Sequence, residues 1–260
     1  MTRTVPRWIG ALAVVGGLLM AVPLLGLLVR VPWLRVPGLL ASRAALDALG
    51  LSLRTCLAST ALCLVLGLPV ALVLSRLRGR WVAVGRVIAT VPMVLPPVVA
   101  GLALLVTLGR RGLVGQVLSM GGIEIGFTTM AVVVSQTFVA MPFLVVAVEG
   151  ALRSIDSDAE LMAATLGAGP SRVLWQVTVP ALRPAIVSGA SLAAARALGE
   201  FGATITFAGS LQGTTRTLPL EIYLQREVDT DTSLALAAVL IALATVLVLA
   251  TTPFGRRAPA

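Results

Sequence analysis

Residues 154–184 read SIDSDAELMAATLGAGPSRVLWQVTVPALRP. They form the polar interruption between the fourth and fifth of six long apolar runs. Acids crowd its start at Asp156, Asp158 and Glu160, small residues surround Gly167 at its centre, and Pro180 stands where apolar character returns. LMAATLGAG reads as a short helix ended by glycines, which close a helix at little steric cost. Its small faces suit a groove.

Outward from this loop, the apolar runs cover about 9–29, 51–75, 84–108, 127–148, 181–208 and 234–252. A run of about 20 apolar residues crosses a bilayer as a helix, because each residue rises 1.5 Å through a core about 30 Å thick. Lipid offers no partner for backbone groups, so only helices or closed barrels can span it. These runs are too long and continuous for barrel strands. The chain is 58% hydrophobic and 12% charged, too apolar to cover itself with polar surface. The expected fold is an all-α integral membrane protein with six transmembrane helices. The first run follows a basic start, as a signal peptide would, but its length favours a membrane helix.

The formal charge is +9, and all 20 basic residues are arginine. They sit mostly in short loops between the runs, a pattern of membrane topology rather than nucleic-acid binding. The chain has no lysine and no histidine. Without lysine there is no Walker A phosphate loop, so the chain is not expected to hydrolyse ATP. Without histidine there is no zincin motif or imidazole relay. Neither catalytic residues nor a metal site is expected. Cys56 and Cys63 lie two helical turns apart, about 10 Å, too far to bridge.

Arginine counts orient the chain. With the N-terminus in the cytoplasm, Arg3, Arg7, Arg76, Arg78, Arg80, Arg86, Arg153, Arg172, Arg183, Arg256 and Arg257 lie inside. Arg30, Arg35, Arg43, Arg110, Arg111, Arg216 and Arg226 lie outside. Both termini are therefore expected in the cytoplasm.

Three runs hold residues unusual in lipid. The third contains Pro92, Pro96 and Pro97. Proline removes a backbone donor and bends a helix, either for packing or to line a cavity. The fourth contains Gln136 and Pro142. The fifth contains Arg196 and Glu200, four apart and so on one helix face, among Gly199, Phe201, Gly202, Ala203, Thr204 and Thr206. A charge at mid-bilayer costs at least ~2.5–3.5 kcal/mol, so the two are expected to neutralise each other. They serve either as a structural ion pair or as part of a conduit in the outer half of the membrane. Small residues let helices approach closely, and threonine hydroxyls offer neutral donors to a passing tetrahedral oxyanion.

The loop and the fifth run together resemble the permease subunit of a type I ABC importer. That family's loop signature is Glu-Ala-Ala, three residues, Gly, nine residues, Ile-x-Leu-Pro. Here Leu161, Met162 and Ala163 fall on Glu-Ala-Ala, Gly167 on the Gly, and Val177, Val179 and Pro180 on Ile, Leu and Pro. The spacing and the Gly and Pro anchors hold, while the Glu has become Leu161. TVPMVLPPVVAGLALL, SQTFVAMPFLV, ARALGEFGATITFAGS and TRTLPLEIYLQRE narrow the likeness to molybdate permeases. Sulfate permeases share related segments.

The resemblance covers about 50–253. It implies a permease core there, with a coupling loop at about 153–180, preceded by the first helix and an external loop (1–49) and followed by a cytoplasmic tail (254–260). It implies molybdate import across the cytoplasmic membrane by alternating access, with tungstate or sulfate/thiosulfate as alternative cargoes. A channel or a non-transport scaffold is the reading from another class. Implied partners are a second copy of the chain, two ATP-binding subunits that hold ATP and Mg²⁺, and an extracytoplasmic molybdate-binding protein. Leu161, Met162, Ala163, Gly167, Ala168 and Pro180 would contact the ATPase. Arg196, Gly199, Glu200, Phe201, Gly202, Thr204 and Thr206 would form the path or its gate.

Overall fold

The computed structural model describes residues 6–77, 79–155 and 158–251. Arg3, Arg78, Asp156, Arg256, Arg257 and the tail 254–260 lie outside the described residues. The chain begins with α1 (Arg7–Arg30) and a short α2 (Val36–Leu40). Next come α3 (Arg43–Leu62) and α4 (Leu68–Arg76), joined by a π-helical turn at Cys63–Gly67 into one 34-residue rod. This rod starts earlier than the apolar run, because Ser42 caps it by accepting from the Ala45 amide and Ala45 and Ala48 of its first turns pack inside the protein.

The third run is not one helix. It divides into α5 (Arg80–Val94) and α6 (Pro97–Leu108), whose axes change direction by 118°. Pro92 stays inside α5; the break falls at Leu95 and Pro96. Proline pushes the preceding residue out of the helical region, and Leu95 is extended (ψ 137°). After α7 (Gly115–Met120), α8 (Thr129–Ser154) is the central helix. It packs against α3, α4, α5, α11 and α12, and two-thirds of its apolar window is buried.

The loop holds α9 (Asp158–Thr165). Then α10 (Pro170–Val173), a π-helical turn at Leu174–Thr178 and α11 (Val179–Leu198) make a second long rod of 29 residues. Alpha-11 presses closely on α8, where a Cβ at Gly189 would come within 3.0 Å of Leu144. Small residues supply such contacts because lipid gives helices no hydrophobic reason to associate. The fifth run also proves discontinuous: α11 stops at Leu198, and α12 (Gly202–Ala208) begins afresh. A surface helix, α13 (Leu218–Val228), precedes α14 (Thr230–Thr251).

Among the described residues, five helices or rods are long and apolar enough to cross a membrane, and the bent α5–α6 pair makes six if it crosses as a unit. Arg86, midway along α5, pairs with Glu149 toward the end of α8. Leu104, Leu105 and Leu108 on α6 pack with Ala131 and Val132 near the start of α8. From Val132 to Glu149 is about 26 Å of helix rise, so the pair contacts α8 at two well-separated levels.

Candidate functional site

The two broken runs meet. Alpha-6 and α12 lie side by side against α8, and their contact is as tight as backbone allows. A Cβ on Gly202 would sit 2.6 Å from the Pro97 Cβ, and one on Gly101 would sit 2.8 Å from the Ala203 carbonyl oxygen and 2.7 Å from the Thr206 Cβ. No side chain larger than glycine fits either position without moving a neighbour. Ala100, Val139 and Ala203 form a buried cluster there, with Leu95 and Phe138 against it. Val139 lies about 15 Å along α8 from Thr129, so both breaks pack beside the middle of the central helix. Non-helical backbone within a membrane protein survives only when packed in protein or lining a cavity.

Arg196 and Glu200 do pair, with Nη1 and Oε2 2.5 Å apart. They do not share one helix, contrary to the expected continuous fifth span: Arg196 is in the last turn of α11, and Glu200 lies in the break after it. Glu200 is 1% exposed. Its Oε1 accepts from the Ala203 amide at 2.8 Å, satisfying a donor that the start of α12 would otherwise leave unpaired. One carboxylate thus joins the end of one helix to the start of the next. Gly199 follows α11 in the open, Phe201 packs its ring on Tyr223 with centroids 5.1 Å apart, and Thr204 shares a 3.2 Å hydrogen bond with Ser135. Thr206 is only partly buried and donates to the Gly202 carbonyl.

At the other end of α11, the loop residues are open. Leu161, Met162 and Leu166 are exposed, and Asp158, Leu161, Met162, Thr165 and Leu166 line a shallow cavity of about 440 Å³. Gly167 has φ +84°. Its amide donates to Ala164, and that of Ala168 to Ala163, the paired closure of a helix that ends in a left-handed residue. A Cβ there would meet nothing within 4 Å of the same chain. The requirement for glycine is therefore one of backbone conformation, not of close approach inside the chain. Ala163 belongs to the same helix, Ala168 follows the turn, and Pro180 is in the first turn of α11.

The missing signature Glu has a neighbour in its place. Glu160 Oε1 accepts from Arg76 Nη2 at 2.8 Å and from the Thr178 hydroxyl. Thr178 is 3% exposed and closes the π-helical turn leading into α11. The carboxylate therefore ties α9 both to the end of α4 and to the base of α11.

Comparison with known proteins agrees with this architecture. A family model described as "Binding-protein-dependent transport system inner membrane component" matches residues 64–257. The molybdenum transport system permease protein ModB of Mycobacterium tuberculosis (strain ATCC 25618 / H37Rv) is 52% identical over 253 residues, 96% of either chain. The chain belongs to the binding-protein-dependent transport system inner membrane component family. The sulfate transport system permease protein CysW of Synechococcus elongatus is 36% identical over 70% of this chain and 63% of its own. Among solved structures, a bacterial alginate ABC transporter in complex with an alginate pentasaccharide-bound periplasmic protein matches with TM-score 0.71 at 18% identity. That match covers 96% of this chain and 94% of the other. An inward-facing MetNI methionine ABC transporter matches with TM-score 0.63 at 19% identity, over 79% and 92%. The permease is thus a multi-pass membrane protein with the fold of ABC transporter permeases.

Some residues of this permease site escaped the sequence. Gly101 and Ser135 gave no signal of their own, since an isolated glycine or serine in an apolar run is common. Glu160 was one of three candidate acids. Gln136 stood out as polar within an apolar run, and it is 1% exposed with an Oε1 that has no hydrogen-bond partner among the described residues.

Proposed function

We propose that this permease is the transmembrane subunit of an ATP-driven importer whose cargo is molybdate. The observation that carries the reading is the end-to-end likeness, 52% over 96% of both chains, to a permease named for molybdenum transport. The geometry supports a transport role: two helix breaks meet beside the middle of α8, and irregular backbone within a membrane protein is either packed in protein or lines a path. Arg196 and Glu200 offset each other there.

In this reading ATP and Mg²⁺ are held by two separate ATP-binding subunits, which receive α9 through Leu161, Met162, Ala163 and Leu166. A second copy of the chain completes the path. The argument for it is α1: a 24-residue apolar helix with no buried residue, touching mainly α14. An extracytoplasmic molybdate-binding protein delivers the cargo on the far side.

The test is uptake of labelled molybdate by a deletion strain carrying this gene with its ATPase and binding-protein genes. Uptake should be abolished by excess tungstate or molybdate and spared by sulfate. Preferential competition by sulfate would reassign the cargo.

A further inference from the structure

A second charged cluster lies where α4, α5 and the last turns of α8 meet. Glu149 has a side chain only 8% exposed, and its Oε1 is shared by Arg86 (2.8 Å) and Arg153 (2.8 Å). Arg86 also donates to the Leu74 carbonyl at 3.3 Å. One carboxylate between two guanidiniums leaves a net charge of about +1, because arginine never deprotonates in proteins. Both arginines line a cavity of about 400 Å³, together with Ser75, Leu77 and the first turn of α5 at Gly79, Val82 and Ala83. Gly79 gives that turn no side-chain cap, so the amino end of α5 adds to the positive potential.

The cavity also has a position relative to the bilayer. It lies where α4 ends and α5 begins, and Trp81 next to it is 75% exposed with the Arg80 guanidinium 5.5 Å from its ring centre. Tryptophan concentrates at the level of lipid headgroups, and basic cavities between spans at that level suit anionic headgroups.

We propose that this cavity binds a phosphoryl oxyanion, presented as the headgroup phosphate of an anionic phospholipid. Planar guanidiniums match phosphate oxygens in pairs, and Arg153 spends one nitrogen on Glu149, leaving the rest of its fork for the ligand. The phosphate would balance the unpaired charge, relieve repulsion between Arg86 and Arg153, and pin the ends of α4, α5 and α8 to one another. This inference does not depend on the identity of the cargo.

The experiment uses the full chain, purified in detergent with whatever subunits accompany it, stripped of lipid and titrated while bound lipid is counted by native mass spectrometry. Three probes are compared: phosphatidylglycerol, phosphatidylcholine and inorganic phosphate. Phosphatidylglycerol should bind at one molecule per chain, at least about tenfold more tightly than phosphatidylcholine, the equivalent of one charge-assisted contact. Arg153→Gln leaves the Arg86–Glu149 pair in place and should erase most of that preference. Ala83→Phe fills the cavity without altering any charge and should remove the binding. Equal affinity for the two lipids, or full retention of the preference in both variants, overturns the site. Saturation by inorganic phosphate that displaces phosphatidylglycerol with no lipid preference assigns the cavity to a free oxyanion and overturns the headgroup assignment.

Discussion

Glu200 performs two tasks with one carboxylate: Oε1 caps α12 at Ala203, and Oε2 meets Arg196. Glutamine keeps an oxygen for the cap but removes the charge, which isolates the ion pair as the variable. Stranding one charge of a buried pair costs about 3–5 kcal/mol, and the Arg196 side chain is 26% exposed, so water reduces the penalty here. Glu200→Gln alone should impair uptake more than Arg196→Gln combined with Glu200→Gln, measured per folded molecule. Wild-type uptake per folded molecule in Glu200→Gln and in Arg196→Gln would assign the pair to packing alone. Both residues were legible in the sequence, because charges in an apolar run are conspicuous. Their joint was not: the four-residue spacing suits a continuous helix, whereas α11 ends at Leu198 and Gly202 lies against Pro97, a neighbour far away in sequence.

At the scale of elements, the rod from Pro170 to Leu198 links the loop helix to the break. Its lower end is tied by Glu160, through Arg76 and Thr178. The Arg76 side chain is 49% exposed and that of Glu160 28%, so the pair adds little stability, in line with the ~0–1 kcal/mol of exposed pairs. Its value lies in orientation. Glu160→Gln and Arg76→Gln should leave membrane abundance and melting temperature near wild type, yet lower uptake several-fold. The exchange Arg76→Glu with Glu160→Arg should recover part of it. Loss of protein in either single variant, in proportion to lost uptake, would make the tie merely structural.

The Gly167 turn yields a test of its own. Asparagine tolerates the left-handed region and valine does not, so Gly167→Asn should keep assembly with the ATPase and Gly167→Val should weaken it. Equal assembly of the two variants would remove the turn from the coupling argument. The signature spacing made this helix and its glycine legible in the sequence. It did not single out Glu160, because which acid reaches Arg76 depends on how α9 lies against α4.

For the whole molecule, the number of crossings decides where the termini lie. Counted as one crossing, the bent α5–α6 pair brings the total among the described residues to six and puts both ends of the chain on one side. By the arginine bias that side is expected to be the cytoplasm. Reporter fusions at the C-terminus and beside Gly122 should report opposite compartments, the first cytoplasmic. A C-terminal fusion active only outside would invert the orientation and place α9 away from any cytoplasmic ATPase. The sequence by itself determined the membrane class, the six apolar runs and the loop with its Gly167 turn, because hydropathy and backbone preference are local. Only the tertiary structure decided that the third and fifth runs are broken, that the breaks meet at Gly101, Pro97 and Gly202, and that Glu149 holds two arginines. Those features arise where segments distant in the chain pack atom against atom, and no local pattern in one segment records the shape of the other.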